Sequence, residues 1–256
     1  KGGQTKAGSK AAASHTGALS SDSRVFNAVC RQAGIVKVER PMELLDLSAA
    51  FSSLPLPKGK RVAIMTLGGG WGVVTADLCE AYGLEIPELS EAIIKKIDEI
   101  LPPYWSRANP IDLVGENDLS IPMTTMEALM QWDGCDAIIN LGILGRRHLV
   151  SRMADSVRLA DPTCPEDFLE KVSKALDEFE EKYIRHIVSL MSVHQKPVLG
   201  VSMLKGEKDL TVTHVDGFRY KGLFFPTPEQ AVVSLAKMYE YQMFISREKM
   251  MNENKE

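Results

Sequence analysis

Cysteine is scarce in this sequence of 256 residues. Its four cysteines, Cys30, Cys79, Cys135 and Cys164, stand far apart, with no CxxC and no metal-ligand spacing among them. That pattern points to reduced thiols in a cytoplasm rather than to a disulfide framework or a metal centre. Long apolar runs are missing too, so no segment is expected to span a bilayer, and no signal-peptide pattern opens the chain. Basic charge is not in excess: 30 Lys and Arg stand against 34 Asp and Glu, a net charge of −4. Without a basic stripe no nucleic-acid surface is expected. No internal repeat of short period is present. What remains is ordinary, with 45% hydrophobic and 25% charged residues, as in soluble globular proteins. The length suits one large domain or a domain plus a piece. With Lys1 at the start, a fragment of a longer chain is expected.

Residues 1–21 are rich in Gly, Ala, Ser and Thr and read as a loop. DSRVFNAVCRQA, 22–33, sets Val25, Phe26, Val29 and Cys30 at helical spacing, with Gly34 able to close the helix. A short strand at 35–38 and a helix at 41–51, with Pro41 at its first position, follow. A lone strand has no ladder partner of its own, so this stretch reads as the end of a sheet begun upstream. LPLPKGK, 54–60, is a linker. From residue 61 strands alternate with helices. Strands are expected at 61–66, 84–86, 136–144, 196–203 and 223–225. Ser90 is placed to cap the helix EAIIKKIDEIL, and Thr227 with Gln230 forms a capping box for the last helix. A long amphipathic helix covers 165–195, while 206–222 supports no assignment. Five strands separated by helices make an α/β fold with a doubly wound parallel sheet. The expected organisation is the tail of a truncated domain at 1–53, a linker at 54–60 and a second domain at 61–256.

Two segments carry candidate chemistry. TLGGGWGVVTADL, 66–78, follows the first strand and opens a helix. Ligands of such sheets lie at the carboxyl ends of strands, where a helix N-terminus offers free N–H groups and the positive end of its dipole. Glycines there leave room for an anion. The spacing fits neither GxGxxG, because Val73 stands where the third Gly falls, nor a Walker loop, because no GK[ST] follows. Gly68, Gly69, Gly70, Trp71, Gly72 and Val73 therefore form either an anion cradle or a tight strand-to-helix turn. Trp71 is either a stacking surface or packing. The second segment is AAASHTGALSSD, 11–22, where one imidazole, His15, sits among small residues. Composition alone leaves it a nucleophile or an idle exposed side chain.

AAASHTGAL, with the preceding KGGQTKAGSK, resembles the phosphohistidine segment of the NDP-forming acyl-CoA synthetases. That family includes ADP-forming acetate–CoA ligase and is similar to succinyl-CoA synthetase. RVFNAVCRQAGIVKVERPMELLDLSAAF resembles the end of their histidine-bearing domain, and RVAIMTLGGGWGVVTADLCEAYGLEIPELS the start of the flavodoxin-like domain that follows. NPIDLVG, 109–115, resembles a loop motif of that domain, KPVLGVSM one of its strands and FPTPEQAVVSLAKM its closing helix. The parts come in the same order and cover most of the chain.

The resemblance implies a flavodoxin-like domain preceded by the tail of a similar one. It implies the reaction acyl-CoA + ADP + phosphate ⇌ carboxylic acid + CoA + ATP, through an acyl phosphate and a phosphohistidine. His15 would be the carrier, since neutral imidazole is a good nucleophile near pH 7 and a loose loop can travel between two sites. Amides from Gly69 to Val73 would hold the phosphoryl oxygens. Asn109 and Asp112 would set the 101–115 loop beside the site, or else form an Asn-Pro turn with a capping Asp. No metal site is expected in this stretch. CoA, ATP or ADP and magnesium belong to the full enzyme, bound through absent domains or a partner subunit of an oligomer, so the fragment is expected to be inactive alone. Some positions depart from the family pattern. Trp71 stands where Pro or a small residue is usual, Ser20-Ser21-Asp22 replaces a small, Gly-containing ending, and 145–153 and 165–195 are longer than usual. Arg146, Arg147 and His148 form a small basic cluster after a strand end, either a solvated loop, the reading preferred, or a contact for phosphate or CoA. Two other classes stay open: a catalytically silent, ligand-sensing module of a larger protein such as a protein acyltransferase, and a CoA-transferase-like protein.

Overall fold

Alanine decides the first element. Alanines at 7 and 11–13 favour helix more than any other residue, and in the computed structural model Lys6–Thr16 forms helix α1. The loop expected over 1–21 is thereby corrected for 6–16, because that reading weighted the flanking glycines over the alanine run. The structure describes residues 3, 5–16, 22–115, 118–161, 163, 166–202, 204 and 210–253. His15 is the penultimate residue of α1; its side chain lies outside the described atoms. The second helix, α2 (Ser23–Gln32), is capped by Asp22, whose side chain accepts the Arg24 N–H at 2.8 Å. Gly34 has φ +66°, and a Cβ there would run into the ring of Phe244, so glycine is required twice over. The strand expected at 35–38 is extended chain without a ladder. Ile35 N–H donates to Cys30 O at 2.8 Å, which closes α2, and Lys37 Nζ donates to Asn27 Oδ1 at 3.2 Å. Residues 1–39 and 243–256 form one compact unit and Arg40–Gln242 a second.

The second unit begins with α3 (Glu43–Ser53) and continues through β1 (Val62–Thr66), α4 (Gly69–Ala81), α5 (Glu91–Asp98), β2 (Ile111–Asp112), α6 (Ser120–Gln131) and β3 (Ala137–Leu141). Then come α7 (Arg146–Ala160), α8 (Glu166–His194), β4 (Val198–Val201), β5 (Val212–Thr213), β6 (Gly222–Phe225) and α9 (Pro228–Glu253), which from Met243 onward belongs to the first unit. The six strands make one sheet in the order β2-β1-β3-β4-β6-β5. All neighbours are parallel except β5, which runs antiparallel to β6. Every residue of β1, β3, β4 and β6 is buried, as a parallel sheet covered on both faces requires. Chain order reverses at β1: β2 lies on one side and β3 on the other.

Several expectations change. Residues 84–86 make only an isolated bridge, Glu85 to Arg61. The sheet gains β2 inside the Pro-broken loop and β5 inside the unassigned 206–222 stretch; both are two residues long, too short to leave a periodic signal. Arg146 opens a 15-residue helix instead of lying in a loop. Ser90 makes no capping hydrogen bond. The Thr227 box is half made: Gln230 N–H reaches Thr227 Oγ1 at 3.5 Å, but the Gln230 amide turns to the Asp46 carboxylate at 3.1 and 3.2 Å. Among the described side chains of α8 the buried ones are Leu176, Phe179, Tyr183, Ile187, Val188 and Met191. The C-terminal part of this long helix thus serves the core.

At the amino edge of the sheet a cavity of about 320 Å³ is lined by Arg61, Asp136 and Lys196 among others. Its chemistry is structural. Lys196, 9% exposed, donates to Leu129 O, Met130 O and Trp132 O at 3.0, 3.1 and 2.7 Å and so closes the end of α6. Arg61 and Asp136 pair at 2.9 Å. Burial opposes ionisation of Asp136, but hydrogen bonds from the Arg61 side chain and amide outweigh it and hold the carboxyl below its usual value. Lys196→Met keeps the bulk and removes three hydrogen bonds from the end of α6, which should cost about 2 kcal/mol; chemical denaturation reads this as a lower midpoint at unchanged slope.

Candidate functional site

Thr66 ends β1 and builds the turn that follows. Its Oγ1 accepts the Gly68 N–H at 3.1 Å and donates to Gly68 O at 2.9 Å. The strands on either side fix it further, with Leu67 N–H on Leu141 O at 3.2 Å and Leu113 N–H on Thr66 O at 2.8 Å. Gly68 O then receives Trp71 N–H at 3.1 Å and Gly72 N–H at 3.4 Å, which starts α4. Two N–H groups, those of Gly69 and Gly70, have no partner among the described residues. They are the open end of the helix. The amides of Trp71 and Gly72, expected in the cradle, are bonded to Gly68, and from Val73 onward the helical ladder takes over.

The glycines of this turn have different reasons. Gly72 is buried, and a Cβ there would meet Pro110 Cβ at 3.0 Å and Thr66 Cγ2 at 3.1 Å. Gly72 is therefore a packing glycine. A Cβ at Gly69 would come within 2.9 Å of Asp112 Oδ2. At Gly68 and Gly70 a Cβ would meet nothing within 4 Å. Gly68 also has φ −148°, extended backbone that any residue adopts. Neither packing nor backbone conformation asks for glycine at 68 and 70; what their bareness does is leave the approach to two free amides clear. Trp71 stands 41% exposed beside them.

Asn109 belongs to the frame. Its Oδ1 accepts Ile64 N–H at 2.9 Å, and its Nδ2 donates to Val62 O at 2.9 Å and Pro87 O at 3.1 Å. The side-chain amide thus pairs with the margin of β1 where β2, which meets β1 only at Met65 and Thr66, does not reach. The Asn109–Pro110 peptide is cis, and Pro110 lies against Gly72. Asp112 sits closer to the turn: its Oδ1 accepts Val114 N–H at 2.9 Å, and its Oδ2 abuts Gly69.

Across the β1–β3 boundary lies a second strand-to-helix turn. Gly142 and Gly145 have φ +73° and +83°, values that suit glycine. Gly145 N–H donates to Glu180 Oε1 at 2.9 Å. Arg146 begins α7 partly buried; burial lowers its pKa from the usual guanidinium value and Glu180 opposes this. Composition could not separate it from Arg147 and His148; its place soon after a buried strand was the usable signal. Thr66 was also passed over, though a hydroxyl ending an apolar strand before glycine is the mark of such a turn. Cys79, on the buried side of α4, is pushed up to about 12 by burial and is an inert thiol. Two turns thus lie at the carboxyl ends of the neighbouring strands β1 and β3, where the strand order reverses and α/β sheets bind ligands. No helix is long and apolar enough to cross a membrane, and no group of three or more His, Cys, Asp or Glu is placed to hold a metal ion, both among the described residues.

Comparison with known proteins gives the arrangement a lineage. Residues 1–51 match the family described as succinyl-CoA ligase like flavodoxin domain, and residues 62–184 the Ligase-CoA domain. Over 144 residues the chain is 37% identical to the acetate–CoA ligase [ADP-forming] II subunit alpha of Pyrococcus furiosus, covering 56% of this chain and 31% of that one. Over 143 residues it is 41% identical to acetate–CoA ligase [ADP-forming] II of Archaeoglobus fulgidus, covering 54% of this chain and 21% of the relative. The chain therefore spans a third or less of these relatives. A solved structure of the dinucleotide-forming acetyl-coenzyme A synthetase 1 of Candidatus Korarchaeum cryptofilum, in complex with phosphate and ADP, shares the fold. Its TM-score is 0.69 at 23% identity, over 96% of this chain and 47% of that one. On these matches the chain belongs to the NDP-forming acyl-CoA synthetase family, with a succinyl-CoA ligase-like stretch followed by a Ligase-CoA domain.

Proposed function

We propose that this chain is the phosphate-handling part of an ADP-forming acid–CoA ligase, with His15 as the carrier. The observation that supports this best is the pair of open amides at Gly69 and Gly70, at the carboxyl end of β1. In the ATP-forming direction a phosphate oxygen attacks the thioester carbonyl, giving an acyl phosphate and releasing CoA. An imidazole nitrogen of His15 then attacks phosphorus, and the carboxylate leaves. Finally a β-phosphate oxygen of ADP takes the phosphoryl group, yielding ATP and free His15. The Gly69 and Gly70 N–H groups would hold phosphoryl oxygens through these exchanges, where fixed amides stabilise charge without reorganisation. Thr66 would set their direction, and Gly68 and Gly70 would keep the approach open. CoA and nucleotide would bind on further domains or a partner subunit, together with magnesium, and none of the steps given to these residues passes through the metal.

The carrier sits on the end of a helix instead of in a loop. An isolated helix of 11 residues is marginal in water, so α1 can unwind or move as a body to present His15. The test uses the full-length protein and ATP labelled on its γ-phosphate. The expected result is an acid-labile, base-stable label that ADP removes. A parent protein that never takes label would overturn the carrier role and favour a silent, ligand-sensing module.

A further inference from the structure

The proposed cradle has a carboxylate at its mouth. Asp112 Oδ2 lies where a Cβ at Gly69 would come within 2.9 Å of it, against the first residue of α4. The group is held in place. Asp112 pairs with Thr66 in the β1–β2 ladder, Leu113 N–H bonds to Thr66 O at 2.8 Å, and Asp112 Oδ1 accepts Val114 N–H at 2.9 Å. Oδ2 receives no hydrogen bond from the described residues. A fixed negative charge beside a helix N-terminus offsets the attraction of the dipole and the free N–H groups for an anion.

We infer that Asp112 is a tuning residue that weakens the hold of the Gly69–Gly70 amides on phosphate, so that the phosphoryl group leaves readily on its carrier. The inference rests on the reading of that turn as a phosphate cradle. A carrier cycle turns over only if no intermediate falls into a deep well, since binding the bound state as tightly as the transition state adds nothing to turnover. Two free amides at a helix end would make such a well, and Asp112 makes it shallower.

Asp112→Asn in the full-length enzyme isolates the charge, because Asn keeps an oxygen for Val114 N–H and nearly the same volume. Asp112→Ser, which also keeps a short acceptor, serves as the second variant. In both, the KM for inorganic phosphate in the ATP-forming direction should fall about tenfold. Removal of label from the phosphoenzyme by ADP should slow by a similar factor, and kcat should fall with it. The dependence of the phosphate KM on salt should also change, which a purely structural role would not produce. If both variants accept label yet show an unchanged or raised phosphate KM, the tuning role is wrong while the cradle stands. If the parent takes no label, the cradle reading falls and takes this role with it.

Discussion

His15→Ala in the full-length protein is expected to take no label from ATP and to lose ligase turnover by at least about 10³-fold, as removal of a covalent nucleophile does elsewhere. Alanine is a better helix former than histidine, so the substitution favours α1 over Lys6–Thr16 and the loss is chemical instead of conformational. The control is another histidine. His214, whose Nε2 lies 3.5 Å from Asp216 on an exposed stretch, can be changed to alanine with label and turnover retained. Label persisting in the His15 variant would move the carrier role to a different residue.

Asn109→Ala is expected to destabilise the protein by about 3 kcal/mol. Three hydrogen bonds disappear at once, to Ile64 N–H, Val62 O and Pro87 O. Two of the stranded groups belong to β1, whose residues are fully buried. Leaving a buried backbone group unpaired costs about 1–3 kcal/mol, partly recovered where water can enter. Asn109→Asp is the informative companion: it keeps the acceptor for Ile64 N–H but sets a carboxylate oxygen against two carbonyl oxygens, so it should be no better than alanine. Both are read by chemical denaturation. A loss below about 0.5 kcal/mol, the level of an ordinary surface change, would show that Asn109 does not frame β1.

Legibility followed the length of the pattern. β1, β3, β4 and β6 were plain as buried apolar runs, α2 and α8 as amphipathic repeats and α9 by its capping box. The glycine turn was legible because its residues are unusual in bulk, and His15 because it resembles a family segment. What stayed hidden was decided over one or two residues or at long range. β2 exists because Asp112 is drawn into register with Thr66, and no local sequence of two residues announces a strand. Asn109 reads as an Asn-Pro turn until β1, 45 residues away, is in place beside it. The split among the glycines, with packing at 72, a neighbouring carboxylate at 69 and open space at 68 and 70, depends on side chains from β1 and the 109–112 segment. Helix α1 was obscured by glycines that outweighed, in a composition reading, the alanines between them.

The margins of the sheet carry one more consequence. Each outer strand is two residues long, β2 on one side and β5 on the other, and beyond β2 the rim of β1 is already satisfied by the Asn109 amide. Edges this short give a stray strand little to zip onto, the protection that sheet proteins need against self-association. Any chain that docks here must therefore do so through turns and helix surfaces, and the sheet itself stays closed to growth.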